Sequence, residues 1–142
     1  MSDSLASTLR QIDEQLAIGH KEARRNAYDL VMGAMRTFAT PGIERDGSAL
    51  FMRLGDIYAQ SGDFKTALAA WTDAVHCPGA LGDSQLHLRL GKAQFELGNE
   101  TRAADELCRA FMGAGAEIFS TENPKYFAFL KTKIRPPAGE QW

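Results

Sequence analysis

The sequence predicts an all-α fold, and three observations predict it. Apolar residues recur along several stretches at the i, i+3/i+4, i+7 spacing of one helix face. No segment alternates apolar and polar residues over the length of a strand. The middle of the chain contains an internal repeat, and each of its units reads as helix, turn, helix.

The first stripe is Leu5, Leu9, Ile12 and Leu16, with Ser2, Asp3 or Ser4 as N-cap and Gly19 as the stop. A second stripe, Ala27, Tyr28, Val31, Met35 and Phe38, ends at Thr40-Pro41-Gly42, where proline cannot continue a helix. Residues 1–40 therefore read as an antiparallel helical pair, and 41–47 as an interior loop. The stretch LGDIYAQSGDFKTALAAWTDAV (54–75) then aligns on LGKAQFELGNETRAADELCRAF (90–111), a period of 36 residues. Leu54/Leu90, Gly55/Gly91, Gly62/Gly98, Ala67/Ala103 and Ala74/Ala110 fall in step. The units are 48–81 and 84–117, with small residues where the two helices of a hairpin approach closely. Asn123-Pro124 reads as an N-cap followed by proline at the first helical position, opening a capping helix over 123–134 that stops before Pro136-Pro137. The tail is 135–142. The aromatic residues of the cap, Tyr126, Phe127 and Phe129, either pack on the last hairpin or meet a partner.

Composition narrows the function classes. The chain has 142 residues, 16 Lys+Arg against 18 Asp+Glu, and 44% hydrophobic residues, which suits one soluble domain able to bury a core without staples. Cys77 and Cys108 are too few for a disulfide framework, so a reducing compartment is expected. A membrane span needs about 18 consecutive apolar residues, and the longest charge-free stretch, 74–82, contains His76 and Pro78. Asp3, Arg10, Asp13 and Glu14 interrupt the start of the chain where a secretory leader would be apolar, so a cytoplasmic protein is expected. The net charge of −2 argues against a phosphate-binding surface, and nucleic acid is not an expected partner. Only the segment 121–142 is basic, through Lys125, Lys131, Lys133 and Arg135.

No catalytic constellation is legible. The sequence lacks G-x-x-x-x-G-K-[ST], G-x-S-x-G and H-E-x-x-H motifs. His20, His76, His87, Cys77 and Cys108 do not have the spacing that presets a tetrahedral metal site. Adjacent carboxylates such as Asp13-Glu14 and Asp105-Glu106 point to different sides of a helix, which does not suit paired acid/base work. The expectation is a non-catalytic chain with no cofactor and no metal.

The repeat resembles the tetratricopeptide repeat, a helix-turn-helix unit of about 34 residues. Phe51, Leu54, Gly55, Tyr58, Ala67, Trp71 and Ala74 stand at its signature places, with Pro78 one residue ahead of the expected proline. The second unit keeps Leu90, Gly91, Ala103 and Ala110, has Leu107 in the second aromatic place, and departs at His87, Gln94 and Gly115. Phe95 is the candidate to replace the missing aromatic. Placing Gly19 at an inter-helix turn puts Tyr28 where Trp71 and Leu107 stand, so residues 1–40 are a candidate degenerate unit. The resemblance implies a right-handed superhelix of about three helix pairs plus the capping helix. It also implies that ligands are met by the first helix of each unit, here Ala49, Met52, Asp56, Ala59 and Gln60, then Gln85, Leu88, Lys92, Phe95 and Glu96. Leu88 and Phe95 are open to a second reading as core. From 91 onward, most visibly at Glu117-Ile118-Phe119 and Pro124-Lys125-Tyr126-Phe127, the chain resembles small bacterial tetratricopeptide-type proteins that serve as immunity partners of polymorphic toxins. One partner protein is therefore expected, a toxin bound and neutralised. The alternatives are a secreted client held by a chaperone or adaptor, and a self-associating scaffold whose cap and Trp142 pack on a second copy as a homodimer.

Overall fold

The computed structural model describes residues 3–38 and 44–142, and among these every regular element is a helix. In chain order they are α1 (Asp3–Ile18), α2 (Lys21–Phe38), α3 (Glu44–Gln60), α4 (Phe64–Val75), α5 (Ser84–Glu96), α6 (Glu100–Ala114), a 3₁₀ turn (Ala116–Phe119) and α7 (Pro124–Lys131). No helix among the described residues is long and apolar enough to cross a membrane. The chain divides into two compact units, one ending at Leu81 and one beginning at Gly82.

In the first unit the stripe on α1 is buried as its spacing predicts: Leu5, Leu9 and Ile12 join Ala27, Val31, Ala34, Leu50 and Ile57 in one core. Arg53 ties α3 to α1 through two hydrogen bonds to the Asp13 carboxylate, at 2.9 and 3.0 Å, and Gln60 donates to the Leu16 carbonyl at 2.8 Å. Of the stripe expected on α2, Ala27 and Val31 are buried and Met35 packs against the same core, Tyr28 departs, and the Phe38 side chain lies outside the described residues. Ala23, Ala27, Val31 and Ala34 are buried, whereas Tyr28 is 37% exposed while Trp71 and Leu107 are enclosed. Tyr28 therefore does not take their place. Its hydroxyl side meets Tyr58 instead, and the Tyr58 phenol is pushed above its ordinary pKa by burial and then by Tyr28 and Asp63.

The turns differ as well. At Gly62 and Gly98 the chain closes each helix with a Schellman pair: Asp63 N–H donates to the Tyr58 carbonyl and Gly62 N–H to Ala59, just as Asn99 donates to Gln94 and Gly98 to Phe95. Gly62 and Gly98 hold φ of 85° and 84°, a conformation that favours glycine. After α1 there is only the single bond from Gly19 N–H to the Gln15 carbonyl, and His20 Nδ1 caps the Ala23 N–H.

The repeat units are hairpins of matching build, α3 with α4 in the first unit and α5 with α6 in the second. A Cβ on Gly55 would stand 2.2 Å from Trp71 Nε1, and one on Gly91 would stand 2.6 Å from the Leu107 Cγ and Cδ2. In both hairpins a bulky buried side chain of the second helix thus lies directly on a glycine of the first. Trp71 satisfies its indole N–H by donating to the Met52 carbonyl at 2.9 Å and to Asp56 at 3.2 Å. Ala67, Ala74, Ala103 and Ala110 are fully buried beside these contacts. Leu54 is partly buried against the first unit's core, and Leu90 is buried.

Three boundaries differ from the sequence reading. Of the expected loop over 41–47, residues 44–47 are helical; the rest of it and the expected helix end at Thr40-Pro41-Gly42 fall among residues 39–43, outside the described residues. A Cβ added at Gly47, in the first turns of α3, would stand 3.6 Å from the Cys77 Sγ, an ordinary contact. Gly115, at the place of the expected proline, ends α6 with φ of 77°. The capping helix stops at Lys131 rather than near 134, its opening as expected: Asn123 accepts from Lys125 N–H, with Pro124 next.

Candidate partner-binding site

The side chains proposed to meet a partner lie on α3 in the first unit and on α5 in the second, and the two sets meet different fates. On α5, four of the five are used by the chain itself. Leu88 is buried in a core with Leu107, Ala110, Phe119, Tyr126 and Leu130. Phe95 packs edge-on against Tyr126 and Phe129, with ring centroids 5.4 and 5.1 Å apart. Lys92 pairs with Glu122, just before α7. Glu96 accepts from the Tyr126 hydroxyl at 2.7 Å and pairs with Lys125 at 2.5 Å. Only Gln85 is exposed, and it accepts from Arg89.

This covering has a consistent physical chemistry. The aromatic residues of α7 supply apolar area for Leu88 and Phe95, while Lys125, Glu122 and the Tyr126 hydroxyl match the charges at the rim of the α5 face. Burial works against the Glu96 carboxylate, but the hydrogen bonds from Lys125 and Tyr126 and the charges of Lys125 and Lys92 outweigh it and hold its pKa below the usual range. The Tyr126 phenol is pushed far up, first by burial and then by its bond to Glu96 and the charges of Glu96 and Glu122. Lys125 and Lys92 also lie 5.2 and 5.6 Å from the centre of the Tyr126 ring.

On α3 the proposed residues are less occupied. Met52, Asp56 and Ala59 are half-buried and Gln60 is exposed. Asp56 accepts from Trp71 and Gln60 bonds to Leu16, so both are oriented by the fold. Ala49 packs against the first unit's core.

The two departures of the second repeat from the signature also find partners. His87 is buried and its Nδ1 lies 2.6 Å from a Glu106 carboxylate oxygen, a hydrogen bond across the hairpin. Gln94 is buried and its Oε1 accepts from Asn99 at 2.8 Å, bracing the turn. Phe95 does not replace the missing aromatic inside the hairpin; it turns to α7. Tyr126 and Phe129 pack on the last hairpin, one of the two readings the sequence gave for the aromatic cap, whereas spacing gave no sign of Glu122 as a partner of Lys92. Among the described residues no group of three or more His, Cys, Asp or Glu side chains is placed to hold a metal ion. No protein-family model matches the sequence, and no curated protein or solved structure matches it either.

Proposed function

We propose that this chain is a non-catalytic, cytoplasmic protein-binding module of the tetratricopeptide type, its helix pairs wound into a right-handed superhelix, and that it acts as an immunity protein neutralising a cognate bacterial toxin. The observation that supports the binding reading is the paired construction of the two hairpins, in which Gly55 under Trp71 and Gly91 under Leu107 set the same close approach. Repeated helix pairs present the first helix of each unit as a ready surface for a protein ligand. Because α7 covers the α5 face, the partner in this reading meets α3, with Met52 as the apolar contact and Gln60 at the rim. Neutralisation is stoichiometric: an interface of about 1,200–2,000 Å² occludes or distorts the toxin's active site.

The test is a tagged pull-down from the native cell, with identification of the protein recovered at one-to-one stoichiometry and assay of its activity. A folded enzyme that loses activity on titration with this chain, and regains it with the Met52→Glu variant, supports the reading. A secreted protein held through a disordered segment with its activity intact overturns the immunity role.

A further inference from the structure

The second unit carries a feature that the repeat reading does not use. The end of α6, the face of α7 and the tail border an open cleft of about 530 Å³ lined by Phe111, Met112, Phe127, Lys131, Glu140 and Trp142 among others. Its walls are unusually open for apolar groups: Met112 is 77% exposed and Trp142 44%. Three rings form a mutually edge-packed or tilted set, with Phe111–Phe127, Phe111–Trp142 and Phe127–Trp142 centroids 5.9, 5.8 and 5.7 Å apart. The Lys131 ammonium lies 4.3 Å from the centre of Phe127 and 5.8 Å from that of Trp142.

That lysine is the observation that identifies the ligand chemistry. Ring faces carry negative potential, and clusters of them hold cations, quaternary ammonium groups above all. The cluster here already holds one. Lys131 makes no ion pair with any described residue, whereas Lys92, Lys125 and Lys133 each have a glutamate. It is therefore anchored by rings alone, on a flexible stem that is half-exposed. Glu140, which lines the same cleft, likewise makes no ion pair among the described residues and offers an incoming cation the carboxylate that Lys131 leaves unused.

We propose that the Phe111, Phe127 and Trp142 ring cluster, with Glu140, is a receptor for an alkylammonium group, and that Lys131 is an internal stand-in which such a group displaces. The exchange replaces one ring-bound cation by another, so selectivity comes from what the newcomer adds: methyl or methylene contact with Met112 and the rings, and pairing with Glu140. The site is independent of the α3 surface and of the repeat reading.

The two tryptophans provide the assay, since Trp71 is buried in the first unit and Trp142 lines the cleft. Indole N–H resonances are followed while tetramethylammonium chloride is added, with sodium chloride as the ionic-strength control. The expected result is a saturable shift of Trp142 alone, with affinity at least tenfold higher in Lys131→Ala and lower in Lys131→Ala/Glu140→Gln. If Lys131→Ala does not give the native thermal melt, the unaltered chain carries the test, with a saturable Trp142 shift that Glu140→Gln weakens. A Trp142 signal that moves no more than in sodium chloride overturns the proposal, and so does an equal response to sodium acetate.

Discussion

Replacing Gly55 by alanine adds one methyl group, and the structure says where it goes. The new Cβ would lie 2.2 Å from Trp71 Nε1, 2.3 Å from Cδ1 and 2.7 Å from Cε2. Ordinary contact begins near 3.4 Å, so the indole has to retreat by about 1.2 Å from its present seat. It is a rigid bicycle that is 1% exposed, and its N–H points at the Met52 carbonyl. Overpacking of this kind costs about 1–3 kcal/mol, and a buried N–H pulled off its acceptor costs about 1–3 kcal/mol more. Alanine recovers about 1 kcal/mol of helix propensity. The net is a loss of about 1–5 kcal/mol, centred near about 3 kcal/mol. The comparison is Gly33→Ala in α2, where the added Cβ meets only the tip of Arg36 at 3.9 Å. That substitution is expected to stabilise by about 0.5–1 kcal/mol. Urea melts followed by circular dichroism and by tryptophan fluorescence give both numbers. If the two variants move the midpoint in the same direction, or Gly55→Ala melts with the parent, the hairpin contact does not govern stability and the reasoning fails.

Other expectations follow from the second unit. Gly91→Ala meets the Leu107 side chain at 2.6 Å and its backbone N at 3.0 Å, and should destabilise by about 1–3 kcal/mol in the same melts. The Glu96 pKa is depressed in the folded chain, so its contribution is present above its unfolded value of about 4.3 and is lost as pH falls through the folded value. Tyr126 is raised, so its contribution is complete below about pH 10 and declines as pH rises from there toward the folded value. Thermal melts across pH should therefore show losses on both limbs, and Glu96→Gln should flatten the acid one; an unchanged acid limb would mean that the Lys125–Glu96–Tyr126 cluster does not hold the cap. Asn123→Ala removes the side-chain cap of α7 and should cost about 1 kcal/mol. Exchange of the α7 amides should rise in that variant, and unchanged protection would argue against the cap.

How much of this was legible in the sequence depends on whether the signal was local. Helix spacing, the Gly62 and Gly98 turns and the Asn123-Pro124 start are set by residues next to one another, and they appear where the sequence places them. That small residues stand where the two helices of a hairpin approach closely followed from the repeat; that Gly55 meets Trp71 and Gly91 meets Leu107 came from the structure. Tyr28 departs from the place of Trp71 and Leu107, and glycine spacing alone could not show that the turn at Gly19 closes with a single bond where those at Gly62 and Gly98 close with two. On the α5 face, intramolecular contacts were not legible for another reason. Leu88, Lys92, Phe95 and Glu96 have the mixed character of a surface that binds something, and nothing in their spacing could say that the ligand was 30 residues downstream in the same chain. For Leu88, the reading as core was the accurate one.

The hairpin contacts also bear on the order in which the chain can assemble. Gly55 to Trp71 and Gly91 to Leu107 each span 16 residues, with a glycine turn between them that closes on its own backbone. The bonds that bring α1 to α3 span 40 residues or more. Closing a longer segment costs more chain entropy and slows the search, so the local hairpins, α1 with α2 included, are expected to form before the bonds between α1 and α3. Of these contacts, the bonds between α1 and α3 are thus the last to close.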